Sequence, residues 1–150
     1  MHYSDLVQYF QSEETLTELL ADCQPYFDAI DDYNEKIFKN ELTETTILEV
    51  REGKRKVSAA KANLEAIQKS AETFKRNNEL QKYMELKNST PKGEKFTSAS
   101  GEKEAEAFVQ LPRRVRNMIE GYIAKAETAL KQLSDMLYDA KWDADKKNAV

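Results

Sequence analysis

Arg51, Lys54, Arg55, Lys56 and Lys61 fall within 11 residues of one another. Cations at that density can neutralise successive phosphates of a polyanion, a contact that needs charge in register and carries no base-sequence information. Lys87, Lys92 and Lys95 follow, with Phe96 set among Ser and Thr. Proteins that bind single strands combine a cationic groove with aromatic platforms, and Phe96 is the candidate platform. Arg113, Arg114 and Arg116 form a third group. All of these basic residues have acidic neighbours. On the residues alone, a charged helix surface laced with i,i+4 pairs is the stronger reading.

Other chemistry finds few residues to work with. His2 and Cys23 are the only histidine and cysteine, too few for an ordinary structural zinc site and insufficient for an intrachain disulfide. A nucleophile–histidine arrangement would have to recruit His2 at the N-terminus. Gly93-Glu-Lys-Phe and Gly101-Glu-Lys-Glu place a Gly near a Lys without the spaced glycines that cradle phosphate. With 27 acidic residues, pairs such as Glu13-Glu14 and Asp31-Asp32 read as solvated surface. Cys23 reads as a small apolar packing residue. The expectation is a non-enzyme with no cofactor and no metal.

The elements that must position the basic groups are helices. Charged residues make up 33% of the 150, against only 4 Gly and 3 Pro, a composition that favours one all-α domain with solvated outer faces. A lone Cys and an N-terminus without a basic region or apolar core point to the cytoplasm, and no apolar run approaches a membrane span. Charge is asymmetric: residues 1–50 hold 12 acidic and 2 basic side chains, residues 51–150 hold 15 and 21. The two parts can attract each other, within one chain or between copies, or the basic part can meet a polyanion.

Residues 1–41 read as short acidic helices. Ser4 precedes an apolar pattern, Ser12 is an N-cap followed by Glu13 and Glu14, and Pro25 interrupts and begins a new helix. Thr43 is a cap for a long helix over 44–88. There Val50, Val57, Leu64, Ala71 and Asn78 recur every seven residues, with Gly53, Ala60, Ile67 and Phe74 three further on. That is an a/d heptad seam whose small residues admit a close partner. Asn78 in the seam can fix register, and Gly53 can mark a bend. Residues 89–101 form a polar loop. A C-terminal helix over 102–147, kinked or restarted at Pro112 and frayed at its end, carries an apolar stripe that includes Ile119, Leu130, Leu137 and Ala140. The fold class expected is a long antiparallel helical hairpin, coiled-coil-like, with short N-terminal helices.

The stretch Leu48 to Glu65, LEVREGKRKVSAAKANLE, resembles the central helix of the small phage recombination mediators of the UvsY type. The similar features are the basic cluster, the Lys56-Val57 step, and Lys61 before Ala62-Asn63-Leu64-Glu65. Thr97-Ser98-Ala99 before a charged segment and an aromatic-containing final helix follows the family's order. Lys61 maps onto a family position, whereas Asn63 stands where the family has its second basic residue. The resemblance implies a ring-like homo-oligomer that binds single-stranded DNA without sequence preference. It would help a recombinase displace a single-strand-binding protein, in the host cytoplasm if phage-encoded. On this reading Arg51, Lys54, Arg55, Lys56, Lys61, Lys92, Lys95 and Phe96 form the nucleic-acid site.

Two other readings fit the same sequence. The acidic N-terminal third can mimic a polyanion or cover a basic surface, as an inhibitor or assembly factor would. The heptad seam can instead serve a structural coiled coil in a virion or scaffold.

Overall fold

Heptad and 3.6-residue periodicities are realised as four helices in a computed structural model that describes residues 8–42, 46–91 and 95–149. A 3₁₀ turn, Gln8–Phe10, precedes α1 (Glu13–Phe38), α2 (Ile47–Ser89), α3 (Ser98–Phe108) and α4 (Gln110–Asn148). The protein is all-α, with no strand among the described residues, and α2 and α4 form the expected helical hairpin. No helix among those residues is long and apolar enough to cross a membrane.

Local chemistry sets most of the ends. Ser12 Oγ accepts from the Thr15 amide at 3.2 Å while Thr15 Oγ1 accepts from the Ser12 amide at 3.2 Å, a reciprocal capping box. Asn40 ends α1 in the left-handed region at φ 54°, and the Glu41 amide donates back to the Lys36 carbonyl at 3.0 Å. Thr97 caps α3 by accepting from the Ser100 amide at 3.3 Å, so helix resumes at Ser98, inside the segment expected to be loop. The expected cap at Thr43 and the Ser4, Leu6 and Val7 pattern lie outside the described residues.

Pro25 acts differently from expectation, and Pro112 restarts a helix instead of kinking one. Pro25 sits inside α1 and does not begin a new helix. The carbonyl it orphans belongs to Ala21, and both residues are exposed, so water can satisfy it. The segment expected to kink or restart at Pro112 is two helices broken at Val109, whose φ −103° and ψ 21° lie in the bridge region. Pro112 occupies the first turn of α4, where no amide donor is required. α4 runs to Asn148.

The chain forms two compact units, Met1–Ala21 with Ala66–Met118 and Asp22–Glu65 with Ile119–Val150. In the second unit, Phe27 of α1 stacks on Tyr122 of α4 at 4.2 Å between centroids. Asp31 accepts from the Tyr122 hydroxyl at 2.9 Å and also pairs with Lys125. Tyr33 of α1 lies over Gly53 of α2 so closely that a Cβ there would sit 2.5 Å from its ring. Gly53 therefore provides a seat for an aromatic ring where the sequence suggested a bend. Lys61 of α2 meets Glu127 of α4 at 3.8 Å. Val50, Val57, Leu64, Ile119, Ala126 and Leu133 are buried between these elements.

In the first unit, Phe10 packs on Phe74 at 5.1 Å, and Leu16, Leu19, Ile67, Ala71, Ala105 and Val115 are buried. The seam residues Val50 through Ala71 are thus covered by the chain's own helices, while Phe74 and Asn78 are half-buried. Asn78 donates to the Phe74 carbonyl of its own helix at 2.8 Å, which leaves it no evident role in fixing a partner's register.

Candidate nucleic-acid interface

A helix turns about 100° per residue, so Ile47, Arg51, Lys54, Arg55 and Ser58 face one side of α2, Glu52 adjoins Arg55 at its outer edge and feels that charge without an ion pair, and Lys56 lies further round. The first side meets the end of α4 in the second unit. Two adjoining clefts of about 550 Å³ each share Arg51 and Leu137. One is completed by Lys54, Arg55 and Ser58, the other by Ile47, Ala140, Lys141 and Ala144. Four cations line this groove, and no carboxylate does among the described residues. Arg51, Lys54, Arg55 and Lys141 make no ion pair among the described residues. Leu137 and Ala140, half-buried, give the groove an apolar floor.

The other sequence candidates are placed differently. Lys56 pairs with Glu52 at 3.0 Å, and that hydrogen bond holds the lysine above and the carboxyl below their ordinary pKa values. Lys61, the residue carried over from the family resemblance, bonds Glu65 at 2.9 Å and approaches Glu127 at 3.8 Å. The Glu65 bond raises its pKa. A phosphate would have to displace these carboxylates from either lysine. Neither belongs to the groove lining.

Lys95 and Phe96 belong to the first unit and do not join the groove residues in one site. Lys95 is exposed. The Phe96 ring is set edge-on against Tyr83, 5.5 Å between centroids, and covers Gly101, where a Cβ would sit 2.6 Å from its Cζ. It is a packing residue, which corrects its expected role as an open stacking platform. Lys92 lies outside the described residues. Arg116 is tied to Glu72 at 2.6 Å. That guanidinium holds the Glu72 carboxyl down at about 2 against an opposing push from burial, with Arg76 and Lys75 adding to the pull. Arg114 borders a cleft of about 280 Å³ that also contains Glu13, Leu16 and Leu20.

Cys23 is buried, and burial followed by the charge of Asp22 pushes its thiol up to about 11, in keeping with a packing role. Among the described residues, no three His, Cys, Asp or Glu side chains converge so as to hold a metal ion.

Lys141 is the groove residue that inspection of basic clusters misses, because it has no basic neighbour in sequence. Its signal is the spacing from Leu137: the apolar stripe of α4 continues through Ala140 and Ala144, and Lys141 stands at its edge. No protein-family model, curated protein or solved structure matches the chain.

Proposed function

We propose that the chain is a non-enzymatic binder of single-stranded DNA that holds phosphates in the α2–α4 groove of the second unit. One observation carries this reading. Arg51, Lys54, Arg55 and Lys141 converge on a groove with no carboxylate among its described lining residues, although acidic residues outnumber basic ones in the chain. Four cations that make no ion pair among the described residues repel each other, and a polyanion relieves that repulsion while releasing its own counterions.

Three of the four cations lie within Leu48 to Glu65, the stretch that resembles the phage recombination mediators. The finer proposal follows that resemblance: an accessory protein that assists recombinase loading against a single-strand-binding protein, acting as a homo-oligomer in the host cytoplasm. Because the seam is covered within the chain, self-association on this reading uses other surfaces.

The test is fluorescence anisotropy of a labelled single-stranded oligonucleotide across a series of salt concentrations. Each neutralised phosphate of a single strand contributes a slope of about −0.7 in log affinity against log salt. Four contacts give roughly −3. Absence of salt-sensitive binding by the folded, helical protein overturns the reading.

A second reading draws on Glu13, Glu14 and Glu18, which are exposed on α1 and make no ion pair among the described residues. A protein-binding module would use them against a basic partner. Charge reversal at Glu14 and Glu18 would then abolish partner capture, with DNA affinity negligible throughout.

A further inference from the structure

The end of α4 doubles a four-residue pattern: Leu137-Tyr138-Asp139-Ala140, then Lys141-Trp142-Asp143-Ala144. One helical turn separates the copies, so equivalent positions lie above one another, about 6 Å apart along the axis. The first and fourth positions line the cationic groove. The second positions, turned about 100° outward, are Tyr138 and Trp142, which are 68% and 54% exposed. The third positions, another 100° round, are the two aspartates. The shoulder of the groove is therefore an aromatic pair with the groove cations on its inner side and Asp139 and Asp143 on its outer side, and one turn further on Asp145 and Lys146 flank Trp142 on the inner and outer side.

We propose that Tyr138 and Trp142 stack on the bases of a strand whose phosphates occupy the groove, so that this site distinguishes single strands from duplex. The inference rests on the groove reading above. Stacked bases rise about 3.4 Å, so one base held between two rings needs roughly 7 Å, close to the spacing of one helical turn. Asp139 and Asp143 repel phosphates and the groove cations attract them, which orients the backbone inward and the bases toward the rings, while Asp145, one turn beyond Lys141, bounds the path of the phosphates at that end. Lys146 Nζ lies over the Trp142 ring, 5.6 Å from its centroid, so a base stacks on the opposite face or displaces this flexible ammonium. In a duplex the base faces are covered by their neighbours, so the rings have nothing to stack on and only phosphate contact remains. Aromatic–base stacking accepts every base because each has a π-face.

Trp142 is the only tryptophan, so its fluorescence reports this position alone. The folded protein is titrated with a deoxythymidine oligonucleotide and, separately, with inorganic polyphosphate, which has the charge without the bases. Calorimetry follows binding of both. The expected result is that both ligands bind and only the oligonucleotide quenches Trp142. Trp142→Ala should then weaken the oligonucleotide by roughly ten-fold while leaving polyphosphate and duplex affinities unchanged, and Trp142→Phe should restore most of the loss. Circular dichroism checks that both variants remain helical. Oligonucleotide binding without quenching, or equal quenching by polyphosphate, overturns the stacking and leaves the groove standing. Failure of both ligands to bind overturns the groove, and the stacking with it.

Discussion

The two units close their helix contacts by the same device, and both pair basic residues with carboxylates, but the second unit also gathers basic residues that make no ion pair among the described residues. In each, a helical glycine lies under an aromatic ring: Gly53 under Tyr33 in the second unit, Gly101 under Phe96 in the first. In the first unit, Glu72 gathers Arg116 at 2.6 Å, Arg76 at 2.8 Å and Lys75 at 3.5 Å, and Lys82 lies over the Phe108 ring. In the second unit, Arg51, Lys54, Arg55 and Lys141 line a groove and make no ion pair among the described residues. The number of basic residues in a segment therefore says little about its role. Which of them already have a carboxylate partner separates cations that support the fold from cations available to a ligand.

The largest expected effect tests that separation directly. Replacing Arg51, Lys54 and Arg55 together by Ala should lower single-strand affinity on the order of 100-fold and reduce the magnitude of the salt slope by about 2, at roughly 0.7 per contact. Unfolding by urea should shift little, since none of the three makes an ion pair among the described residues. Replacing the paired cations Lys56, Lys61 and Lys75 should leave the slope in place. Equal losses from the two triple variants would erase the distinction between paired cations and groove cations.

The glycine seats come next. Gly53→Ala drives a Cβ into the buried Tyr33 ring and should cost roughly 1–3 kcal/mol of overpacking, against at most about 1 kcal/mol gained in helix propensity. Gly101→Ala meets Phe96, which is only half-buried and can swing toward solvent, so its cost should be smaller. Urea midpoints for the two variants rank the seats, and a larger loss at Gly101 would place the more rigid contact in the first unit.

The smallest effect is electrostatic. The Glu72 carboxyl is held at about 2, below its ordinary 4.5, so its stabilising contribution is complete above about pH 4.5 and is lost as the pH falls toward about 2. Arg116→Leu should cost about 1 kcal/mol at neutral pH and flatten that acid-side loss. Arg51→Leu should leave both stability and its pH profile within about 0.5 kcal/mol of the parent. Denaturation midpoints measured across this pH range check the pair.

Much of the fold is legible in single residues. The buried faces at Val50, Val57, Leu64 and Ala71 follow from a seven-residue spacing that keeps one side of a helix apolar. Ser12 caps α1 because its hydroxyl reaches an amide three residues on. Pro25 misleads because its usual cost applies to a donor and a steric clash, and the exposed position of Ala21 and Pro25 tempers the first. Among the site candidates, Arg51, Lys54 and Arg55 are placed together, while Lys56, one residue beyond Arg55, is turned further round the helix. Phe96 looked available in a polar segment, yet Gly101 lies five residues later and gives its ring somewhere to pack.

The amino-acid sequence by itself determined that the chain is helical, where its longest seam runs and where its charges cluster, because periodicity, capping and propensity act within a few turns of one helix. Only the tertiary structure decided that Tyr33 fills the space at Gly53, that Glu127 approaches Lys61, and that Lys141 joins Arg51 across a groove free of described carboxylates. Those outcomes depend on which residue of another helix arrives opposite, and in the second unit pairs such as Lys61 and Glu127 are 66 positions apart in the chain. The strength of a charge–charge contact depends on a separation in space that local spacing does not specify.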